Sequence, residues 1–114
     1  MVEYIGSSSL DSVFAAVADP TRRAILRQLG KRPARVTDIA KSFPVSLNAV
    51  SKHLMVLERA GLVEREVEGR EHLCRLNAAP LKKASLWLEE TQVFWEQRLD
   101  ALEKHISEKR KRKR

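Results

Sequence analysis

Between Ser46 and Arg59 the chain sets Asn48, Ser51, Lys52, Met55 and Arg59 among the aliphatic residues Val50, Leu54 and Leu57. The i, i+4, i+7 spacing of those three predicts a helix over Leu47–Ala60 with its aliphatic stripe turned inward. At about 100° per residue, Asn48, Lys52, Met55 and Arg59 then face the other way. Ser51 and Ala49 flank that outward stripe near the N-terminal end. This chemistry suits the edges of base pairs. An Asn amide can pair with adenine, and a Lys ammonium can donate to guanine or phosphate. Ser46 and Ser51 can donate to phosphate, helped by the helix N-terminus. Ala49 allows close approach or meets a thymine methyl. His53 lies between the inward and outward faces, where packing or phosphate contact suits it better than metal ligation. An ordinary amphipathic surface helix shows the same polarity, so the neighbouring elements must decide.

Upstream, Gly6-Ser7-Ser8-Ser9 reads as a flexible lead-in. Ser9 is then a cap for a helix through Leu10–Ala18, with Leu10, Val13, Phe14 and Val17 on one face. Asp19-Pro20 restarts the chain as cap and first helical residue. The second helix spans Arg22–Leu29, carries Ile25, Leu26 and Leu29 inward, and ends at Gly30. Lys31-Arg32-Pro33-Ala34 is a loop. A short helix follows near Val36–Ser42, with Ile39 and Ala40 inward, and Pro44 stops it. Ser46 caps the long helix, which closes at Gly61.

Downstream, the period changes to two. Val63, Arg65 and Val67 alternate with Glu64 and Glu66, Glu68-Gly69 signals a hairpin turn, and a return strand covers His72–Leu76. Cys74 and Leu76 share a face. Arg70 beside the tip glycine could reach a minor groove or phosphate. Arg65 and Arg75 are weaker candidates, because hairpin arginines also solvate strand edges. His72 receives no role. A final helix starts near Pro80. Its residues Leu81, Leu88, Trp95 and Leu102 recur every seven, and Leu99 and Ile106 form a second row. Leu86, Trp87, Val93 and Phe94 widen the stripe beyond what one small core covers, so another chain is the expected outlet.

Charge alone is a poor guide here. The net charge is +7, and the six residues Lys109–Arg114 supply six of those charges. Residues 1–108 are therefore nearly neutral. The expected organisation is one domain, 1–108, with a disordered basic tail, 109–114, that attracts any polyanion. The lone Cys74 rules out an intramolecular disulfide and a cysteine-rich zinc site. No apolar run approaches the length of a membrane span, and the first residues lack the blocks of a signal peptide. Cytoplasmic localisation and no membrane partner are the expectations.

Three stretches resemble the ArsR-type (ArsR/SmtB) winged helix-turn-helix repressors. They are Ala18-Asp19-Pro20-Thr21-Arg22-Arg23-Ala24-Ile25-Leu26, then Val50-Ser51-Lys52-His53-Leu54-Met55-Val56-Leu57 running on into Ala60-Gly61-Leu62-Val63, and the Gly69-Arg70 tip. The likeness spans roughly Leu10 to the end of the last helix. It implies a mainly α fold with a small β-hairpin, in the order α-α-α-α-β-β-α, and a homodimer formed through the first and last helices. Leu10, Phe14, Leu81, Leu88, Trp95, Leu99 and Leu102 would line that interface. It also implies double-stranded DNA as partner and a palindromic operator, and it places the residues around Ser51, Lys52 and His53 in the recognition helix. Together with the outward face and wing tip read above, the expected DNA contacts are Ser46, Asn48, Ala49, Ser51, Lys52, His53, Arg59 and Arg70.

Many members of that family release DNA on binding a metal. Here Val36-Thr37-Asp38-Ile39-Ala40-Lys41 lacks the cysteine pair of one family site. His105 and Glu108 give only half of another, and Thr91-Gln92-Val93-Phe94 lacks the rest, although Glu89 and Glu90 lie nearby. No metal and no cofactor are expected. Cys74 lacks the second cysteine of a thiol switch and reads as a small buried hydrophobe. A winged-helix interaction module or a non-specific DNA binder is the competing function. The polar outward stripe of helix 47–60 argues against docking. An enzyme is not expected, because no phosphate loop, nucleophile elbow or convincing metal pair occurs.

Overall fold

The computed structural model describes the backbone of residues 2–112 and the side chains of residues 9–112. The elements run α1 (Val2–Val17), α2 (Pro20–Lys31), β1 (Ala34–Arg35), α3 (Val36–Ser42), α4 (Leu47–Arg59), β2 (Val63–Glu68), β3 (Glu71–Leu76) and α5 (Ala79–Arg112). They fall into two units, residues 1–84 and 85–114.

The first unit is built on apolar stripes from each helix. Val13 and Ala16 of α1, Ile25, Leu26 and Leu29 of α2, Ile39 of α3, and Val50, Leu54 and Leu57 of α4 are buried together. Leu62, Val63 and Cys74 close that core from the sheet side, and Ala84 joins it from the first turns of α5. The sheet is antiparallel with order β1-β3-β2. Glu68 pairs with Glu71 across a two-residue turn, Gly69-Arg70. Gly69 has φ +62° and no described non-glycine residue has positive φ, the pattern of a turn with glycine at its first central position.

Several expectations are corrected. The first helix begins at Val2, not after a flexible lead-in, so Ser9 sits inside it and caps nothing. No proline interrupts that stretch, and an established helix grows by one hydrogen bond per residue. Gly30 does not end α2. The helix runs to Lys31, and Arg32 closes it through its N–H to the Gln28 carbonyl. A Cβ at Gly30 would lie 3.7 Å from Leu76, an ordinary contact, so the packing of helix on sheet does not require glycine there. Ala34, assigned to a loop, opens a third strand with Arg35, because β3 presents an edge that satisfies its backbone. The basic segment, expected to be disordered from 109, continues α5 through Arg112; residues 113–114 lie outside the described residues. Four cations in a last turn are favoured by the partial negative charge there.

Two polar clasps set the angles between helices. Asp19 caps α2, its carboxylate accepting from the Arg22 N–H at 3.0 Å. The Arg22 side chain turns back and donates to the Ala16 and Ala15 carbonyls at 2.7 and 3.0 Å, satisfying the end of α1. Arg23 does the same for Val17 at 2.8 Å. His53 of α4 approaches this knot, its Nδ1 3.4 Å from Arg22 and 3.9 Å from Asp19. The Arg22 N–H, and secondarily the His53 and Arg22 charges, hold the Asp19 carboxyl below its ordinary pKa. At the other end Asn77 donates to the Gly61 carbonyl at 3.0 Å and accepts the Ala79 N–H at 3.2 Å. It thereby joins the close of α4 to the start of α5.

Two measurements check this packing. Leu54→Ala should cost about 2–5 kcal/mol in urea unfolding, as for a buried leucine, while Met55→Ala next to it should change stability by no more than about 0.5 kcal/mol. Asp19→Ala should lower Tm at neutral pH. A depressed folded-state pKa stabilises only above the unfolded value of about 3.9. The gap to wild type should therefore close as pH falls through the folded pKa, and Asp19→Asn, which keeps the cap oxygen, should lose less.

Candidate nucleic-acid interface

The candidate surface is built from α4, the turn before it and the β2–β3 wing. Ser46 caps α4, its Oγ accepting from the Ala49 N–H at 3.1 Å, and its hydroxyl hydrogen is left to donate outward. Val50, Leu54 and Leu57 are 0% exposed. That inward stripe leaves Asn48, Lys52 and Arg59 exposed in a row, with Met55 45% exposed among them. Ala49 and Ser51 are half-buried at the flank. The polar face therefore lies where the helical period puts it, opposite the core.

His53 is half-buried, and its Nδ1 is directed to Arg22 and Asp19. This is the packing role of the two considered for it, and it ties the reading helix to α2. The Asp-Pro-Thr-Arg-Arg stretch takes its meaning from the same knot. Asp19 and Arg22 position α4 and offer no free group at its outer face. Sequence reasoning could not find that role, because it depends on a histidine 31 residues away from Arg22.

On the wing, the arginines separate by partner. Arg65 forms an ion pair with Glu58 of α4 and so fixes the wing against the reading helix. Arg75 lies 3.5 Å from Glu66, and Arg35 of β1 holds Glu71 at 2.8 Å. Arg70 is exposed at the tip and forms no ion pair among the described residues. Among the described arginines of the wing it is the one left unneutralised. Cys74 is buried beneath this sheet. Burial pushes its thiol pKa up, against the pull of the Arg65 guanidinium, which disfavours a reactive thiolate.

The second unit is a helical segment with surplus apolar surface. Leu88, Trp95, Leu99 and Leu102 are all more than half exposed, and Leu86, Trp87, Val93, Phe94 and Ile106 are exposed as well. Phe94 and Trp95 meet edge to face at 5.7 Å, and Arg98 stacks over Phe94 at 5.1 Å. Leu10, Phe14 and Leu81, expected at the same interface, are partly buried against the core of the first unit. No helix among the described residues is long and apolar enough to cross a membrane. No cluster of three or more potential metal-ligating His, Cys, Asp or Glu side chains occurs among them.

Comparison with known proteins matches this geometry. A family profile described as a helix-turn-helix domain matches residues 17–66, which span α2 to most of β2. The transcriptional repressor SdpR of Bacillus subtilis is 33% identical over 79 residues, covering 69% of this chain and 88% of that protein. An ArsR-like transcriptional regulator from Rhodococcus sp. RHA1 superposes with a TM-score of 0.76 at 40% identity, over 85% of this chain and 92% of the other. A Mycobacterium bovis fragment, described as a homodimeric winged helix-turn-helix DNA-binding domain, superposes with a TM-score of 0.64 at 26% identity, over 85% of this chain and 87% of its own. With a winged helix-turn-helix fold, an outward polar face on α4 and relatives of this identity and coverage, the chain belongs to the ArsR family of helix-turn-helix transcriptional regulators.

Proposed function

We propose that this regulator is a cytoplasmic, dimeric repressor that binds a palindromic operator, with α4 in the major groove and the wing beside it. The observation that carries the reading is the polar face of α4, where Asn48, Lys52 and Arg59 stand exposed opposite three fully buried aliphatic residues. Asn48 and Lys52 are assigned to base edges, with Ala49 allowing close approach. Ser46, Ser51, Arg59 and Arg70 are assigned to phosphate, which fixes register and orientation. His53 acts at the margin of this surface, holding α4 to the Asp19–Arg22 knot. Residues 1–108 are taken as the binding and dimerisation domain, and the basic residues 109–114 as a sequence-blind phosphate contact.

Dimerisation through the first and last helices is supported by the exposed stripe Leu88, Trp95, Leu99 and Leu102, and by the homodimer named for the Mycobacterium bovis relative. Leu10, Phe14 and Leu81 keep part of their surface outside the core of the first unit and are assigned to the interface as well. Two-fold symmetry would place two reading helices about one DNA turn apart, in successive major grooves.

The test is binding of the purified chain to the DNA upstream of its own gene, against a scrambled duplex, at physiological salt. Asn48→Ala and Lys52→Ala should each weaken operator binding by about 5- to 150-fold, the value of roughly 1–3 kcal/mol for a specific base contact. Deleting 109–114 should weaken operator and scrambled DNA about equally and flatten the salt dependence. Sequence-blind binding that vanishes with the tail would instead mark a non-specific binder. Separately, Leu99→Asp should convert the dimer to monomer in sedimentation and lower operator affinity with it. An unchanged sedimentation coefficient would remove α5 from the interface.

A further inference from the structure

A cleft of about 230 Å³ opens between the wing and the starts of α3 and α4. The guanidinium-bearing residues Arg35, Arg65 and Arg70 all line it, and Glu71 is the one carboxylate among its lining residues. Arg35 is engaged by Glu71, and Arg65 by Glu58. Arg70 has no ion pair among the described residues, so the wall keeps an unneutralised cation. His72, which received no role from the sequence, also lines the cleft. Its Nδ1 is shut off from solvent and has no hydrogen-bond partner. Buried polar atoms are nearly always paired, and a turn of the His72 ring towards the cleft would let this enclosed orphan meet a ligand's polar group. Val36 and Leu47 give the same cleft an apolar side.

We propose that this cleft binds a small organic monocarboxylate, its charge held by Arg70 beside His72 and its apolar body set against Val36 and Leu47. The volume falls just below the roughly 300 Å³ at which drug-sized pockets begin, which suits a single ring or a short chain. Inorganic phosphate would satisfy the cations and leave the apolar wall idle. A neutral ring would leave Arg70 unanswered. Ser51 and Arg70 belong both to this cleft and to the DNA-contacting surface proposed above. Occupancy therefore competes with DNA, a step that rests on that reading of the surface.

The experiment is an amide NMR titration of the full-length, DNA-free chain with benzoate, benzyl alcohol and inorganic phosphate in parallel. Benzoate should give saturable shifts centred on Thr37, Ser51, Arg70 and His72, with a Kd at least tenfold below those of the other two probes. Arg70→Gln should raise the benzoate Kd about tenfold. Leu47→Asn, at a position already half exposed and so tolerant of change, should weaken benzoate and leave phosphate alone. Phosphate binding as tight as benzoate, with Leu47→Asn silent, would overturn the proposal in favour of a bare anion seat. Shifts scattered away from the cleft would overturn it outright. In a second arm, saturating benzoate should release operator DNA from the wild-type chain. Benzoate that fills the cleft without displacing DNA would uphold the site and sink the assignment of Ser51 and Arg70 to DNA.

Discussion

Burial of Val50, Leu54 and Leu57 is the constraint from which the reading face follows. These three side chains are fully enclosed, in contact with a core that draws on every helix of the first unit and on β2 and β3. A helix has no rotational freedom once such a stripe is seated, because a turn of even one residue would carry leucines into water and polar groups into the core. Asn48, Lys52 and Arg59 are therefore not placed outward by contacts of their own. They are outward because the opposite face is committed. The same logic explains why the face can vary in its polar chemistry without disturbing the fold, whereas the buried stripe cannot.

Rotation about the helix axis is one degree of freedom, and tilt is another. Tilt is set by polar contacts at the two ends. At the α1–α2 corner, Arg22 satisfies carbonyls that the end of α1 leaves open, Asp19 satisfies an N–H that the start of α2 leaves open, and His53 brings α4 to both. At the far end Asn77 links Gly61 to Ala79, and the Glu58–Arg65 pair holds the wing to α4. These groups are partly exposed, so their individual contributions are modest. Their value lies in geometry. They also sort the wing's cations, since Arg35, Arg65 and Arg75 are neutralised in place and Arg70 is not.

What could be read from the sequence follows the same division. The α4 stripe, the Ser46 cap and the Gly69 turn are legible because each is a local rule: a period, a side-chain oxygen before a helix, a residue free to take positive φ. α3 is legible to the residue for the same reason, bounded by Pro44. β1 is not, because Ala34 and Arg35 are a strand only by pairing with Cys74 and Leu73, some forty residues on. Gly30 misleads because glycine ends helices often, yet here the backbone stays helical through Lys31 and Arg32 makes the cap. Arg22 carries no local signal of its role, since its side chain joins carbonyls of α1 to His53 of α4. The outward stripe of the candidate site was therefore readable, and the contacts that aim it were not.

A single reading head offers few base contacts, each worth roughly 1–3 kcal/mol of discrimination. Specific binding must exceed non-specific binding by about 4–10 kcal/mol to be useful against the competing sites of a genome. On the proposed assignment, one copy of α4 with Asn48 and Lys52 would reach the lower part of that range. Two copies held in fixed register reach the rest, and fixed register requires an interface with enough apolar area to be stable. On the proposed function, the surplus surface of α5 would answer the same requirement as the outward face of α4. Leucines and a tryptophan left more than half exposed along a helix are a liability in a lone chain, and they would become an asset if a second copy covered them, as proposed. Folding of the small first unit would then be linked to association, because whatever binds the folded chain and not the unfolded one stabilises it. In this reading, dimerisation supplies stability and specificity through the same helix, and a change that weakens the stripe on α5 reaches the DNA surface without touching it.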